Sequence, residues 1–296
     1  MANRPVRLPG LPAQDRCLVM GVVNVTPDSF SDGGKWFCAD DAIGHGLELA
    51  AQGADIVDVG GESTRPGALR ITEEEELRRV GPVVKALVQS GLVVSIDTMR
   101  PAVAEFALSA GARMVNDVSG GRADQRMAAL VASAQVPFVV THWRDFSADM
   151  YRRAVYDDVV AEVTAELTAN ITALVEAGID PARLILDPGL GFAKQPAHNW
   201  AILTRLDEIS RLACPGAPFP VLVGASRKGF IRRLLSADPD NPRPFDQTDD
   251  ATVALTALAA VAGAWCVRVH AVPGNVDAVR IAARWQQEPG GAAAGR

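Results

Sequence analysis

Three segments of the chain repeat one short pattern. AAQGADIVDV (50–59), LSAGARMVNDV (108–118) and AVAGAWCVRV (260–269) each read helix end, Gly-Ala, then a strand that is apolar on both faces. A glycine just past a helix permits the left-handed residue that stops it. A strand without polar alternation is covered on both sides, as in a parallel sheet wrapped by helices. The pattern predicts βα units.

Carried along the chain, it predicts eight short apolar runs, at 17–24, 54–61, 93–98, 113–121, 137–142, 183–194, 221–226 and 265–270. Helical periodicity falls between them at 41–52, 72–89, 101–110, 125–134, 156–177, 197–212, within 226–235 and at 248–262. Thr72 with Glu75 reads as a capping box, and Pro101 suits a first helical turn. Eight strands alternating with helices predict an α/β fold, a (β/α)8 TIM barrel, as a single domain over residues 1–296 with irregular tails at 1–16 and 286–296. A doubly wound dinucleotide fold would carry GxGxxG after its first strand; here that position reads NVTPDSF.

Composition narrows the partners. Apolar residues make up 48% of the chain, ample for such a core, and 29 basic residues against 35 acidic ones give a net charge of −6. That balance speaks against nucleic acid and anionic membrane as partners. No apolar run nears the roughly 20 residues of a membrane helix, and the N-terminus lacks a signal-peptide core. The four cysteines are scattered, with no CxxC pair. A cytoplasmic, reducing compartment is the expectation.

In a (β/α)8 barrel the chemistry sits at the carboxyl ends of the strands. Those ends carry Asn24; Asp58 with Glu62, Thr64 and Arg65; Asp97; Asn116 with Asp117; His142; Asp187; Ser226 with Arg227 and Lys228; and Arg268 with His270. Asp97, Asn116, Asp187 and Lys228 mix acceptors and donors as the edge of a flat heterocycle requires. Asn24, Thr64, Arg65, Arg268 and His270 offer neutral oxygens and cationic donors, suited to phosphate with a divalent metal. A planar, phosphorylated substrate is the expectation. The loops NVTPDSFSDGG and GESTRPGALR exceed the length of a βα turn and are read as lids ordered by an anion. In DPGLGFAK, Pro188 holds Asp187 extended and the glycines allow close approach to the backbone. His142 is read as packing, His45 and His198 as surface residues, Glu73–Glu76 as a solvated helix start, and Asp117 as a capping acid.

The strings NVTPDSFSDGG, GGESTRPG, SIDT, NDVSGG, DPGLGFAK, GASRKGF and RVH, in that order over about residues 17–285, resemble the dihydropteroate synthase family. The resemblance implies condensation of a dihydropterin-methyl diphosphate with 4-aminobenzoate, releasing diphosphate with Mg2+, and a homodimer. It implies that Asp97, Asn116, Asp187 and Lys228 grip the pterin, with Asp97, Asp187 and Lys228 catalytic. Asn24 would bind the metal, and Asn24, Thr64, Arg65, Arg268 and His270 the diphosphate. Thr64, Pro66, Phe192, Ser226 and Lys228 would line the aminobenzoate site, which sulfonamides also occupy. Two positions depart from the family: Ala271 stands where relatives usually carry aspartate, and Gly229 where some place serine. The alternatives are a methyltetrahydrofolate-type methyltransferase barrel, which has little use for a diphosphate clamp, and a pterin-binding copy without turnover.

Overall fold

The computed structural model describes residues 6–26, 39–63, 70–144, 153–212, 218–238 and 241–287. Eight parallel strands make one sheet: β1 Leu18–Asn24, β2 Ile56–Gly60, β3 Val94–Asp97, β4 Met114–Asp117, β5 Phe138–Thr141, β6 Leu184–Asp187, β7 Leu222–Val223 and β8 Cys266–Val269. Sequential strands neighbour one another from β1 to β6, and β1 also pairs with β8, which pairs with β7. A single bridge, Leu186 to Val221, joins β6 to β7 and closes the barrel.

The helices follow in alternation: α1 Ala39–Ala51, α2 Glu73–Gln89, α3 Pro101–Ser109, α4 Arg126–Ala134, α5 Val159–Glu176, α6 Pro196–Thr204, α7 Leu206–Ser210, α8 Gly229–Leu234, α9 Asp249–Val261 and α10 Pro273–Gln287. In each repeated segment the glycine, Gly53, Gly111 or Gly263, lies at positive φ. The next residue's N–H then donates five residues back, as in Ala112 to Ala107 at 2.9 Å and Ala264 to Ala259 at 2.9 Å. This is the geometry that ends a helix and turns the chain into a strand.

Two apolar clusters result. The larger lies between strands and helices and includes Val19, Val57, Ile96, Val115, Val140 and Leu186. The smaller fills the barrel interior with Leu18, Met20, Ile56, Met114, Val139, Ile185 and Leu222. The alternation along β1, where Leu18 and Met20 belong to one cluster and Val19 and Val23 to the other, is the period-2 rule at work. No helix of the described residues is long and apolar enough to cross a membrane.

Four expectations need correction. The helix read at 197–212 is two, because Arg205 leaves the helical region (φ −127°, ψ 33°) and starts α7 anew. Helix α10 had no counterpart in the sequence reading, although Val276, Val279 and Ala282 bury one face of it. Thr72 caps α2 by accepting from Glu75 N, but the Glu75 carboxylate turns to Arg78 and Arg79, so the box is half made. Glu76 is no solvated residue: it is buried and paired with Arg100, and burial pushes its carboxyl pKa upward.

Candidate active site

The strand register brings the polar ends together. Asn24 pairs with Gly60, Gly60 with Asp97, and Asp97 with Asn116, so one row crosses four strands at the mouth of the barrel. One step deeper, Asp58 on β2 is fully buried. Arg268 reaches from β8 into this group. Its Nε donates to Asp58 Oδ2 at 2.6 Å and its Nη2 to Asp97 Oδ2 at 2.7 Å. Asn116 Nδ2 donates to the same Asp58 oxygen at 2.9 Å. Asp58 Oδ1 has no protein donor among the described residues, and a buried carboxylate oxygen left so expects one from water or ligand.

These carboxylates sit in low dielectric. Burial pushes Asp97 up to about 7; Arg268 opposes that, while the charges of Asp58, Glu76 and Asp117 add to it. The Arg268 guanidinium loses by burial and gains more from its two acids, so its pKa is raised. Asp117 stands apart as the expected cap, taking Ser119 N, Ser119 Oγ and Gly121 N on its own carboxylate.

The second half is built on β6 and β7. Asp187 ends β6 and its Oδ1 accepts from Gly189 N at 2.7 Å. Burial raises its pKa, against that hydrogen bond and the charges of Lys228, Lys194 and Arg268. Gly189 has φ +68°, and a Cβ there would stand 2.3 Å from the carbonyl oxygen of His142. No other residue type fits that turn. Lys228 Nζ lies 3.9 Å from the centroid of the Phe192 ring, a cation–π contact. Burial brings Lys228 down to about 8, and Asp187, Arg268 and Asp97 all act on its charge. Asp97, Asn116 and Asp187 thus stand at one rim of the barrel, with Lys228 within reach of both acids' charges.

His270 and Ser226 pair at the ends of β8 and β7. Ser226 Oγ accepts from the His270 backbone N–H at 3.2 Å and lies 3.0 Å from His270 Nδ1. Support for His270 comes from Ser226, so alanine at 271 does not leave the ring unheld. Arg227, beside Gly229, is committed to Asp249 at 2.8 Å. Asn24 is half-buried at the end of β1. Thr64, Arg65 and Pro66, and most of the two long loops, lie outside the described residues.

Spacing did not single out Asp58 for the site, because its partner Arg268 is 210 positions away. A charged residue on an otherwise apolar strand was the available signal. His142, Lys194 and Glu166 form a string beside the site, the first two buried and Glu166 half-buried: Lys194 Nζ is 2.9 Å from His142 Nδ1, and His142 Nε2 is 2.9 Å from Glu166 Oε2. Burial, with the Lys194 charge, lowers the His142 pKa to about 4, so the neutral ring accepts from Lys194 and donates to Glu166. His198 is also more than a surface residue: its Nδ1 accepts from Gln195 N and caps α6.

The family described as "Pterin binding enzyme" matches residues 20–270. The dihydropteroate synthase of Mycobacterium leprae is 54% identical over 268 residues, covering 90% of this chain and 93% of that one. The chain belongs to the dihydropteroate synthases. Two solved members superpose closely. The Xanthomonas albilineans enzyme with 4-aminobenzoic acid has a TM-score of 0.83 at 44% identity, covering 93% of this chain and 95% of that one. The Yersinia pestis enzyme in a sulfonamide drug complex has a TM-score of 0.86 at 37% identity, covering 95% and 99%. The chain is accordingly a transferase of folate biosynthesis. It joins (7,8-dihydropterin-6-yl)methyl diphosphate to 4-aminobenzoate and yields 7,8-dihydropteroate and diphosphate.

Proposed function

We propose that the mouth of the barrel holds the two substrates side by side, the pterin over the acids of β3 and β6 and the 4-aminobenzoate against Phe192. One observation carries this reading: Asp97, Asn116 and Asp187 stand at the ends of three strands on the same rim of the barrel, and the charges of Asp97 and Asp187 both act on Lys228 at the start of α8. A pterin edge presents ring N–H donors and a carbonyl in one plane. Asp97 and Asp187 accept from the N–H groups, Asn116 does both, and Lys228 donates to the ring oxygen. The open Asp58 Oδ1 supplies a further acceptor on the same side.

The diphosphate lies toward β8 and β1, on Arg268, His270, Asn24, Thr64 and Arg65. Arg268 has two nitrogens on carboxylates, and its Nη1, without a protein acceptor among the described residues, is the one that meets the anion. His270, held by Ser226, adds a donor to it. Phe192, Lys228, Ser226, Thr64 and Pro66 form the aminobenzoate wall.

The donor set also fits Mg2+. This small hard cation is bound mostly through substrate phosphates and needs only one or two protein oxygens. The Asn24 side-chain oxygen, at the end of β1 in the row of Asp97, is such a ligand. When bound, the ion neutralises charge on the departing diphosphate.

In the reaction the carbon–oxygen bond to diphosphate breaks with its electron pair, leaving a pterin-methyl cation. The amine of 4-aminobenzoate then forms the new C–N bond and gives up a proton. Asp97 and Asp187, fixed before the charge appears, stabilise the cation without reorganising. Diphosphate release by Asp97→Asn and Asp187→Asn tests this. Each variant should lose on the order of 100-fold in kcat, and full kcat in either would contradict the role.

The working unit is a single domain paired with a second copy of the chain through its later helices, in the cytoplasm. Leu258 on α9 and Ile281 and Trp285 on α10 are each about two-thirds exposed, at 66%, 66% and 65%. Apolar side chains so placed favour a covered face. Sedimentation equilibrium should return twice the chain mass.

A further inference from the structure

We propose that Lys194 and Tyr156 form a buried clasp that positions Phe192, and so set the affinity of the aminobenzoate half-site. The inference rests on the reading that Phe192 lines that half-site. Phe192 stands in a tight turn, its N–H donating to Gly189 O at 3.0 Å. The next residue, Ala193, is buried in the left-handed region at φ +48°. A non-glycine residue is held there only when its surroundings fix it.

Two side chains bind the backbone of this turn. Lys194 Nζ donates to the Phe192 carbonyl at 3.1 Å, and the Tyr156 hydroxyl donates to the Ala193 carbonyl at 3.0 Å. Lys194 is itself held by His142 Nδ1, whose ring is locked by Glu166 on α5. The lysine is 2% exposed. Burial brings Lys194 down to about 7, and its amine, held between His142 and the Phe192 carbonyl, works through the backbone it binds. With both carbonyls held, the turn has little freedom to move, and the Phe192 ring stands against Lys228 Nζ at 3.9 Å.

Plain core packing would make these residues matter for stability alone. The clasp predicts a split between the two substrates. Lys194 also lends its charge to Asp187, so Tyr156→Phe, which removes one hydroxyl, is the cleaner probe and Lys194→Met the second. Tyr156→Phe should raise KM for 4-aminobenzoate about fivefold, the scale of one lost hydrogen bond, and leave KM for the pterin diphosphate within about twofold. Lys194→Met should raise the first KM further. Melting temperatures confirm that each variant is folded, and if Lys194→Met is not, Tyr156→Phe decides alone. Phe192→Ala separates the two levels. If it raises KM for 4-aminobenzoate while Tyr156→Phe does not, the clasp is overturned and the half-site stands. If Phe192→Ala leaves that KM unchanged, the half-site assignment fails and takes the clasp with it.

Discussion

At Asp97 the physical terms of the site oppose each other most openly. The carboxylate has lost water and has three other acids near it, yet the role proposed for it requires the charge. Arg268 is what makes that tolerable, since it spans Asp97 and Asp58 with two charge-assisted hydrogen bonds. The folded pKa, about 7, lies above the ordinary value of 3.8. Between those values the folded state holds more protons than the unfolded one, so this group's contribution to stability falls as pH rises. Asp97→Asn removes that liability. The melting-temperature difference, variant minus parent, should be more positive at pH 8 than at pH 5, measured by scanning calorimetry. An equal difference at both values would mean that the carboxyl titrates normally. Which polar residues stand at the strand ends was legible, because strand positions can be read from the apolar runs. What was not legible was which acid meets which cation, since Asp58 and Arg268 meet only because β2 and β8 both pair with β1.

Among the elements, the turn after β6 carries the greatest constraint per residue. Asp187 gives its carbonyl to His142 N at 2.8 Å and its carboxylate to Gly189 N, and Gly189 passes against the His142 backbone. Gly189→Ala would combine a left-handed alanine with a backbone clash, and should cost at least about 2 kcal/mol, read as a lower urea midpoint. Helix α2 gives a milder case. Thr72→Ala deletes the cap on Glu75 N and should cost about 1 kcal/mol, with kcat unchanged. Strands were easy to read here because both-faces-apolar runs are rare outside parallel sheets. Helix α10 was not, because Pro273-Gly274-Asn275 looks like a loop, and the buried bond from Thr256 Oγ1 to Asn275 that pins its start is a tertiary contact. The break at Arg205 has the same character: Asp158 and Glu208, from two different elements, both take its guanidinium.

For the whole molecule the barrel has a strong side and a seam. β1 and β2 pair over five residues, whereas β7 is two residues long and meets β6 through one bridge and the Leu186 N to Pro220 O bond. Local opening begins where buried pairing is least. Amide exchange should therefore be slowest at Val57 and Val59 and fastest, among strand amides, at Leu222 and Val223; the reverse order would place the seam elsewhere. The seam lies beside Ser226 and Lys228, so the half of the site proposed to take both substrates has the least rigid frame. The most direct measurement of the central claim is a crystal structure of this chain with 7,8-dihydropteroate bound. The pterin ring should lie within hydrogen-bond distance of Asp97, Asn116, Asp187 and Lys228, with the benzoate against Phe192. A pterin ring bound away from those four residues would contradict it.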